Sequence, residues 1–483
     1  MNKHIFKYIN LRFAFVLTLL GTAFYSCVPT REIRDEQVAL PDNFNTVVSQ
    51  DTVNSAQIKW KDYFKDPDLI ALIDTALVNN QELNIMLQQV DMAQNEIKAR
   101  KGEYLPFVDI QAGAEVEKVG RYTSQGANDA NTDIKPSEEF PEPLPNYGVG
   151  AFATWELDIW SKLHNAKKAA VMEYLSTVEG KNFMVTNLIS EIAASYFELQ
   201  ALDNKLNIIE QNLKLQNNAL KTVVLQKQAA RATELGVKRL EAEVFKNKSE
   251  RFAVKQDIVE TENRINFLIG RAPQSVQRNS EHFIDREMDS LYVGIPSQLL
   301  ANRPDIRKAE YELQAAKLDT KVAKANFYPA FTLKAGVGLE AFNLKYLTTT
   351  PESLLYNVIG DMVAPLINRN AIKAEYYNAN DRQLQAVFDY EKTILNAYIE
   401  VVNQLSNIDN LKHNYALKEQ QVEALTKSID ITNKLFRSAR ADYMEVLLTQ
   451  RDALESRMDL VETKKEQMTA FVQMYKSLGG GWN

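Results

Sequence analysis

A single cysteine, Cys27, and four histidines are the only thiol and imidazole groups in 483 residues. One cysteine permits no disulfide within the chain. His164, His282 and His413 are scattered, and no zinc-ligand spacing, phosphate loop or nucleophile elbow occurs, so no enzyme, resident metal or cofactor is expected. Met86, Met92, Met458, Met468 and Met474 carry soft thioethers that could pass a soft metal ion, but at helical spacing methionine more often fills gaps between helices. The remaining chemistry is charge. Arg231, Thr233 and Glu234 form one short cluster, and Arg440, Asp442, Tyr443, Met444 and Glu445 form another, followed by Arg451. Carboxylates gathered in one place repel each other and attract cations, so holding them together needs protonation or counter-charge, for which Arg440 and Arg451 are the candidates. A solvated helix turn would show the same residues.

Cys27 has a telling position. Residues 1–12 carry Lys3, Lys7 and Arg12 without an acid, and Phe13 to Ser26 is an uncharged, mostly apolar run of fourteen. That is too short to cross a bilayer as a helix, and it has the layout of an export signal. Ending in Ser26-Cys27, it resembles a lipoprotein signal, which implies cleavage before Cys27 and acylation of that residue. Phe24 and Tyr25 depart from the usual residues of such a signal, and an ordinary export signal followed by a chance cysteine is the alternative.

The elements that must position these groups can be read from glycine, proline and hydrophobic period. The chain is acidic, with 56 Lys and Arg against 63 Asp and Glu, which argues against nucleic acid as a partner. It also repeats itself. Ala76 to Leu83 answers Leu299 to Ile306, Pro106 answers Pro329, and Ala112-Gly113 answers Ala335-Gly336 at one offset. Glu191-Ile192 answers Glu400-Val401, and Ala230-Arg231-Ala232 answers Ala439-Arg440-Ala441, at a shorter one. The first repeat therefore holds extra residues, which fit the stretch 120–147, rich in proline and read as a loop.

In each repeat the period switches. Val108, Ile110, Ala112, Ala114 and Val116 alternate with Asp109, Gln111, Gly113, Glu115 and Glu117, and Phe331 to Glu340 alternates likewise. Strands of about ten residues suit a tilted crossing of a bilayer. Tyr147 to Trp155 and Tyr356 to Ala364 supply partners, giving two hairpins. Elsewhere the period is helical: 165–231 and 371–440 are rods of about 100 Å, whereas 69–101, 233–268, 297–326 and 442–478 are each about half that. Two short helices laid end to end would thus match one long one. The domain reading is 1–26 signal, 27–67 anchor segment, 68–296 first repeat with its hairpin at 106–158, and 297–483 second repeat with its hairpin at 329–366. Asn302 before Arg303-Pro304 suits a helix start, and Pro106 and Pro329 suit the change from helix to strand. Four strands cannot close a barrel, and open edges are not tolerated in hydrocarbon, so a spanning chain must oligomerise. Three copies give twelve strands and a lumen.

The stretch Trp60 to Leu69, Trp155 to Trp160, Asn302 to Ile306 and the ending Gly479-Gly480-Gly481-Trp482 together resemble the TolC-like outer-membrane efflux lipoproteins, over nearly the whole chain beyond Cys27. The resemblance implies a mainly α fold with a membrane β-barrel, four strands per chain, assembled as a trimeric 12-stranded barrel above an α-helical periplasmic tunnel. It implies an exit duct that passively conducts small molecules, working with a periplasmic adaptor and an inner-membrane transporter of the proton-driven class. It further implies that Arg231, Thr233, Glu234, Arg440, Asp442, Tyr443, Met444, Glu445 and Arg451 lie at the tip that gates the duct and docks the adaptor. Alanine at 230 and 439 and leucine at 448 depart from the family pattern, which puts the turn geometry and one acidic ring in doubt. The duct of an ATP-driven exporter, and a periplasmic coiled-coil scaffold that never enters the membrane, are the alternatives. Replacing Cys27 by serine is expected to abolish acyl labelling in cells while barrel assembly persists; labelling that survives would refute the anchor.

Overall fold

The computed structural model describes residues 34–37, 40–44, 53–287, 292–365, 367–438 and 440–482. The signal, Cys27 and Ala439 lie outside the described residues. Those described form two compact units, one built from 91–175 and 311–388, the other from 36–90, 176–310 and 389–482, with the divisions falling inside helices. Among the described residues no helix is long and apolar enough to cross a membrane.

The first unit holds a sheet of β1 (Phe107–Glu117), β4 (Leu144–Leu157), β5 (Ala330–Ala341) and β6 (Leu354–Val363), antiparallel throughout in the order β1-β4-β5-β6. The two expected hairpins are thus joined into one sheet by the β4–β5 pair. Facing residues of neighbouring strands share a face, so the row Val108, Ala153, Ala335, Val358 is apolar while the next row, Asp109, Phe152, Gly336, Asn357, is not. Ile110 is 80% exposed and Tyr356 76% on the apolar face, as a surface meant for lipid must be in a single chain. The edges β1 and β6 lack partners in the sheet.

The stretch read as a loop has structure of its own. It contains α4 (Ser124–Asp129), whose start Thr123 caps by accepting from Gly126 N at 3.1 Å, and a ribbon of β2 (Asp133–Lys135) and β3 (Glu138–Glu139). Arg121 closes it on Glu142 at 2.6 Å. Proline-rich composition hid these elements because each is only a few residues long. At the strand ends Trp155 Nε1 donates to Tyr104 O at 3.0 Å, and Trp160, 43% exposed, donates to Pro329 O at 2.8 Å while stacking on Tyr328. Trp160 is thus a partly exposed residue at the strand end, not one packed in a core. Asp158 caps the helix that follows, accepting from Leu163 N at 3.0 Å and His164 N at 2.9 Å.

The helices follow the predicted periods. α5 (Lys162–Gln228) and α9 (Asn370–Arg437) are the long rods; α6 (Glu234–Leu268) and α10 (Tyr443–Ser477) are half their length. The other short helices are broken where the pattern suggested continuity. α1 (Trp60–Phe64) precedes α2 (Pro67–Asn79) and α3 (Gln81–Glu103), which part at Asn80; α7 (Gln298–Asn302) and α8 (Pro304–Ala325) part at Arg303. Arg303, in place of Asn302, stands before the helix, with Pro304 as its first residue.

Within the second unit both breaks serve the same purpose. Asn80 Oδ1 accepts from Leu83 N, starting α3, while its amide donates to Leu268 O at 2.8 Å, the last carbonyl of α6. Arg303 donates to Ser477 O at 2.9 Å, the last carbonyl of α10, and is held by Asp305 at 2.6 Å and Glu400 at 2.7 Å. After those last turns come Gly270 (φ 70°) and Gly479 (φ 90°), where a Cβ would meet Asn79 O at 2.4 Å and Asn302 O at 2.6 Å. The recurring motifs lock these joints. Tyr63 stacks between Phe471 and Tyr475 at 4.4 and 4.0 Å, Asp66 caps α2 and takes bonds from Tyr196 and Arg286, and Trp482 Nε1 donates to Asn302 O at 3.0 Å. We expect Gly479→Ala to cost about 2 kcal/mol or more, from a left-handed φ and a backbone clash together. Gly102→Ala, where a Cβ meets nothing within 4 Å, should instead stabilise by about 0.5 kcal/mol, both read as thermal unfolding in detergent.

Candidate functional site

The two charged clusters sit on equivalent turns of the second unit. α5 ends in a bond from Arg231 N to Gln226 O at 2.7 Å, which places Ala230 in the left-handed region at φ 55°. α9 ends in the equivalent bond, Arg440 N to Leu435 O at 2.9 Å. This closure normally takes glycine, because a side chain resists positive φ. Ala230 therefore makes a turn that glycine would make more easily, and accepts its strain.

Past the first turn Thr233 starts α6, its hydroxyl accepting from Gly236 N at 3.2 Å. Glu234 favours the positive end of that helix and pairs with Lys227, so its carboxyl is held below the usual range, chiefly by the Lys227 bond. Asp442 has cap backbone angles before α10 but makes no side-chain cap bond. Between the turns lies a buried hub of Val223, Val237, Leu240 and Leu447, against which Ala232, Tyr443 and Met444 pack. The structure thus brings the two clusters together, and it does so through apolar residues that the charge pattern did not reveal. Three- and four-residue spacing, of Ala219, Leu220 and Val223 on α5, Val237 and Leu240 on α6, and Tyr443, Met444 and Leu447 on α10, was the available signal.

The charges themselves are not brought together within one chain. Arg231, Glu234, Arg440, Asp442 and Glu445 are exposed. Arg451 is paired with its neighbour Asp452 at 3.0 Å, so it does not neutralise Asp442 or Glu445 in the chain, and among the described residues neither of those acids is in an ion pair. Arg239 approaches Met444 Sδ at 3.5 Å. Tyr443 lies edge-on to Phe436 at 5.4 Å, its hydroxyl is buried without a partner among the described residues, and burial pushes its pKa up to about 12. An unpartnered buried hydroxyl is costly, and the apolar packing around Tyr443 carries that cost.

Long helices paired by hub-closed turns, and a four-stranded antiparallel sheet with open edges and one exposed apolar face, define a channel-forming outer-membrane protein that contributes part of a barrel. The outer membrane efflux protein family matches residues 72–271 and 295–480, and the chain belongs to that family. It is similar to the pyoverdine export outer membrane protein OpmQ of Pseudomonas aeruginosa, 27% identical over 98% of this chain and 97% of that one. It is also similar to the cation efflux system protein CusC of Escherichia coli, 26% identical over 88% of each. The open-state MtrE outer membrane channel of Neisseria gonorrhoeae superposes with a TM-score of 0.83 at 21% identity, covering 95% of this chain and 99% of that one. A crystal structure of CusC gives 0.79 at 23% identity, covering 94% and 100%. The protein is an efflux duct of the outer membrane.

Because Ala230 holds a strained φ, Ala230→Gly is expected to tighten the first turn by about 0.5–1 kcal/mol, after the entropy that glycine adds to the unfolded chain. Hydrogen exchange at the Arg231 amide should slow by about two- to fivefold.

Proposed function

We propose that three copies of this chain form a passive exit duct whose tip is gated by the two charged turns, in series with a periplasmic adaptor and an inner-membrane transporter. The observation that carries the gate is that Asp442 and Glu445 are exposed and in no ion pair among the described residues, with Asp442 capping nothing. A neighbouring copy in the trimer would supply the counter-charge, with Arg231 and Arg440 exposed to meet the carboxylates of Asp442 and Glu445. The assembly itself is supported by Phe245, Phe252 and Val259, exposed at 64, 64 and 47% and repeating every seven residues along α6, the pattern of a seam between helices.

The same turns, with Thr233, Met444 and Arg451 around them, form the docking tip for the adaptor. The relatives are named for pyoverdine, for toluene and for cations, so selection of cargo falls to the transporter, and a proton-driven one is our reading. Lipid on Cys27 would add to the hold of the barrel, since one chain alone binds a membrane weakly. The function needs no cofactor and no bond-making step. In planar bilayers, wild-type trimers should conduct weakly and the Asp442→Ala, Tyr443→Ala double variant several-fold more, as the ring loses its bonds. Trimers that never conduct in either form would end the duct reading.

A further inference from the structure

The polar face of the sheet carries a glycine patch that conduction alone does not call for. Gln111, Gly150 and Gly338 share one row of the register, and Gly113, Gly148 and Glu340 share the next, with Phe152 and Gly336 in the row before. Glycine inside a strand weakens it, and is found where another backbone or a ligand comes close. Three of these glycines have a reason within the chain. A Cβ on Gly336 would stand 2.7 Å from the Phe152 ring, one on Gly150 3.0 Å from Val337 O, and one on Gly338 2.6 Å from Val149 O. Gly113 and Gly148 have none: a Cβ on Gly113 meets nothing within 4 Å, and one on Gly148 meets only Leu339 O, at 3.8 Å.

What lies over those two bare positions is a cleft of about 330 Å³. Phe152 and Leu355 give it an apolar wall, and Gln111, Asn146, Glu115 and Glu340 give it a polar one. Its charged lining groups are the two glutamates, and no lysine or arginine lines it. Asn146 donates to Glu340 and so holds that carboxylate in place. A flat backbone floor, one aromatic side chain held half-buried at its edge and two carboxylates that pair with no cation among the described residues suit a particular guest. A planar apolar ring can lie on the glycines against Phe152, and its positive charge can face Glu115 and Glu340.

The geometry points to a binding site, one per chain, for organic cations with a flat aromatic body. This rests on the reading above that the polar face lines the lumen, where such a site would hold a cationic cargo briefly in passage. The test is a fluorescence titration of full-length detergent-solubilised trimers with ethidium, a cation with three fused aromatic rings, beside the planar anion pyrenetetrasulfonate. Saturable ethidium binding at one per chain is expected, about tenfold weaker in Phe152→Leu and in Glu340→Gln, and lost in Gly148→Leu, whose side chain fills the cleft. Gly113→Leu gives the same test from the neighbouring strand if Gly148→Leu does not assemble. Binding that all these variants retain, or equal binding of the anion, would overturn the site. Conductance of the same preparation separates the two readings: trimers that conduct but do not bind ethidium refute the cleft and leave the duct, while trimers that neither bind nor conduct refute both.

Discussion

A helix that ends leaves carbonyls without partners, and in the helical unit of this chain the filling of two such ends organises everything around them. Leu268 O and Ser477 O are each taken by a side chain, Asn80 and Arg303, that stands in the gap between two short helices. At each break the end of one short helix meets the gap before another. The glycine that follows each taken carbonyl lets the next chain approach to within contact of Asn79 or Asn302. The buried aromatic cluster of Tyr63, Phe197, Phe471 and Tyr475, together with Trp482, then fixes the angle at which the segments meet. Motifs that look like signatures in sequence are, physically, the parts of this joint.

The sheet obeys a different constraint. Its hydrogen bonds are complete inside β4 and β5 and open at β1 and β6, and hydrocarbon offers nothing to close them. Closure has to come from further copies, which also accounts for the exposed apolar stripe on α6, while the large apolar residues left bare on the sheet are those of a face that suits lipid. Oligomerisation is therefore a condition of the fold, required by the membrane part and prepared for by the helical part.

At the charged turns the same logic explains why charge alone was a poor guide. The carboxylates and guanidinium groups of the two turns point to solvent in one chain, and what unites the turns is an apolar hub. Asp442 and Glu445 are left exposed and in no ion pair among the described residues.

Much of this was legible from sequence by period. The switch between alternation of two and of about 3.6 located the strands and rods to within a few residues, because a half-buried strand and a helix packed on one side each impose their own spacing on apolar residues. The repeat placed Ala230 opposite Ala439 and Asn80 opposite Arg303. What the sequence could not show is what these residues do once opposed. Pro304 ends the helix at Arg303, but only the fold shows that Asn80 and Arg303 each give their side chain to a distant carbonyl, in α6 or α10. Trp160 turns outward because Pro329 O and Tyr328 are there to receive it. The joining of two hairpins into one sheet, the folded elements hidden in a proline-rich stretch, and the pairing of Arg451 with Asp452 in place of the tip acids were likewise decided only in three dimensions. Period is a local property that each segment carries by itself, whereas a hydrogen bond or an ion pair goes to whichever partner the whole fold brings nearest.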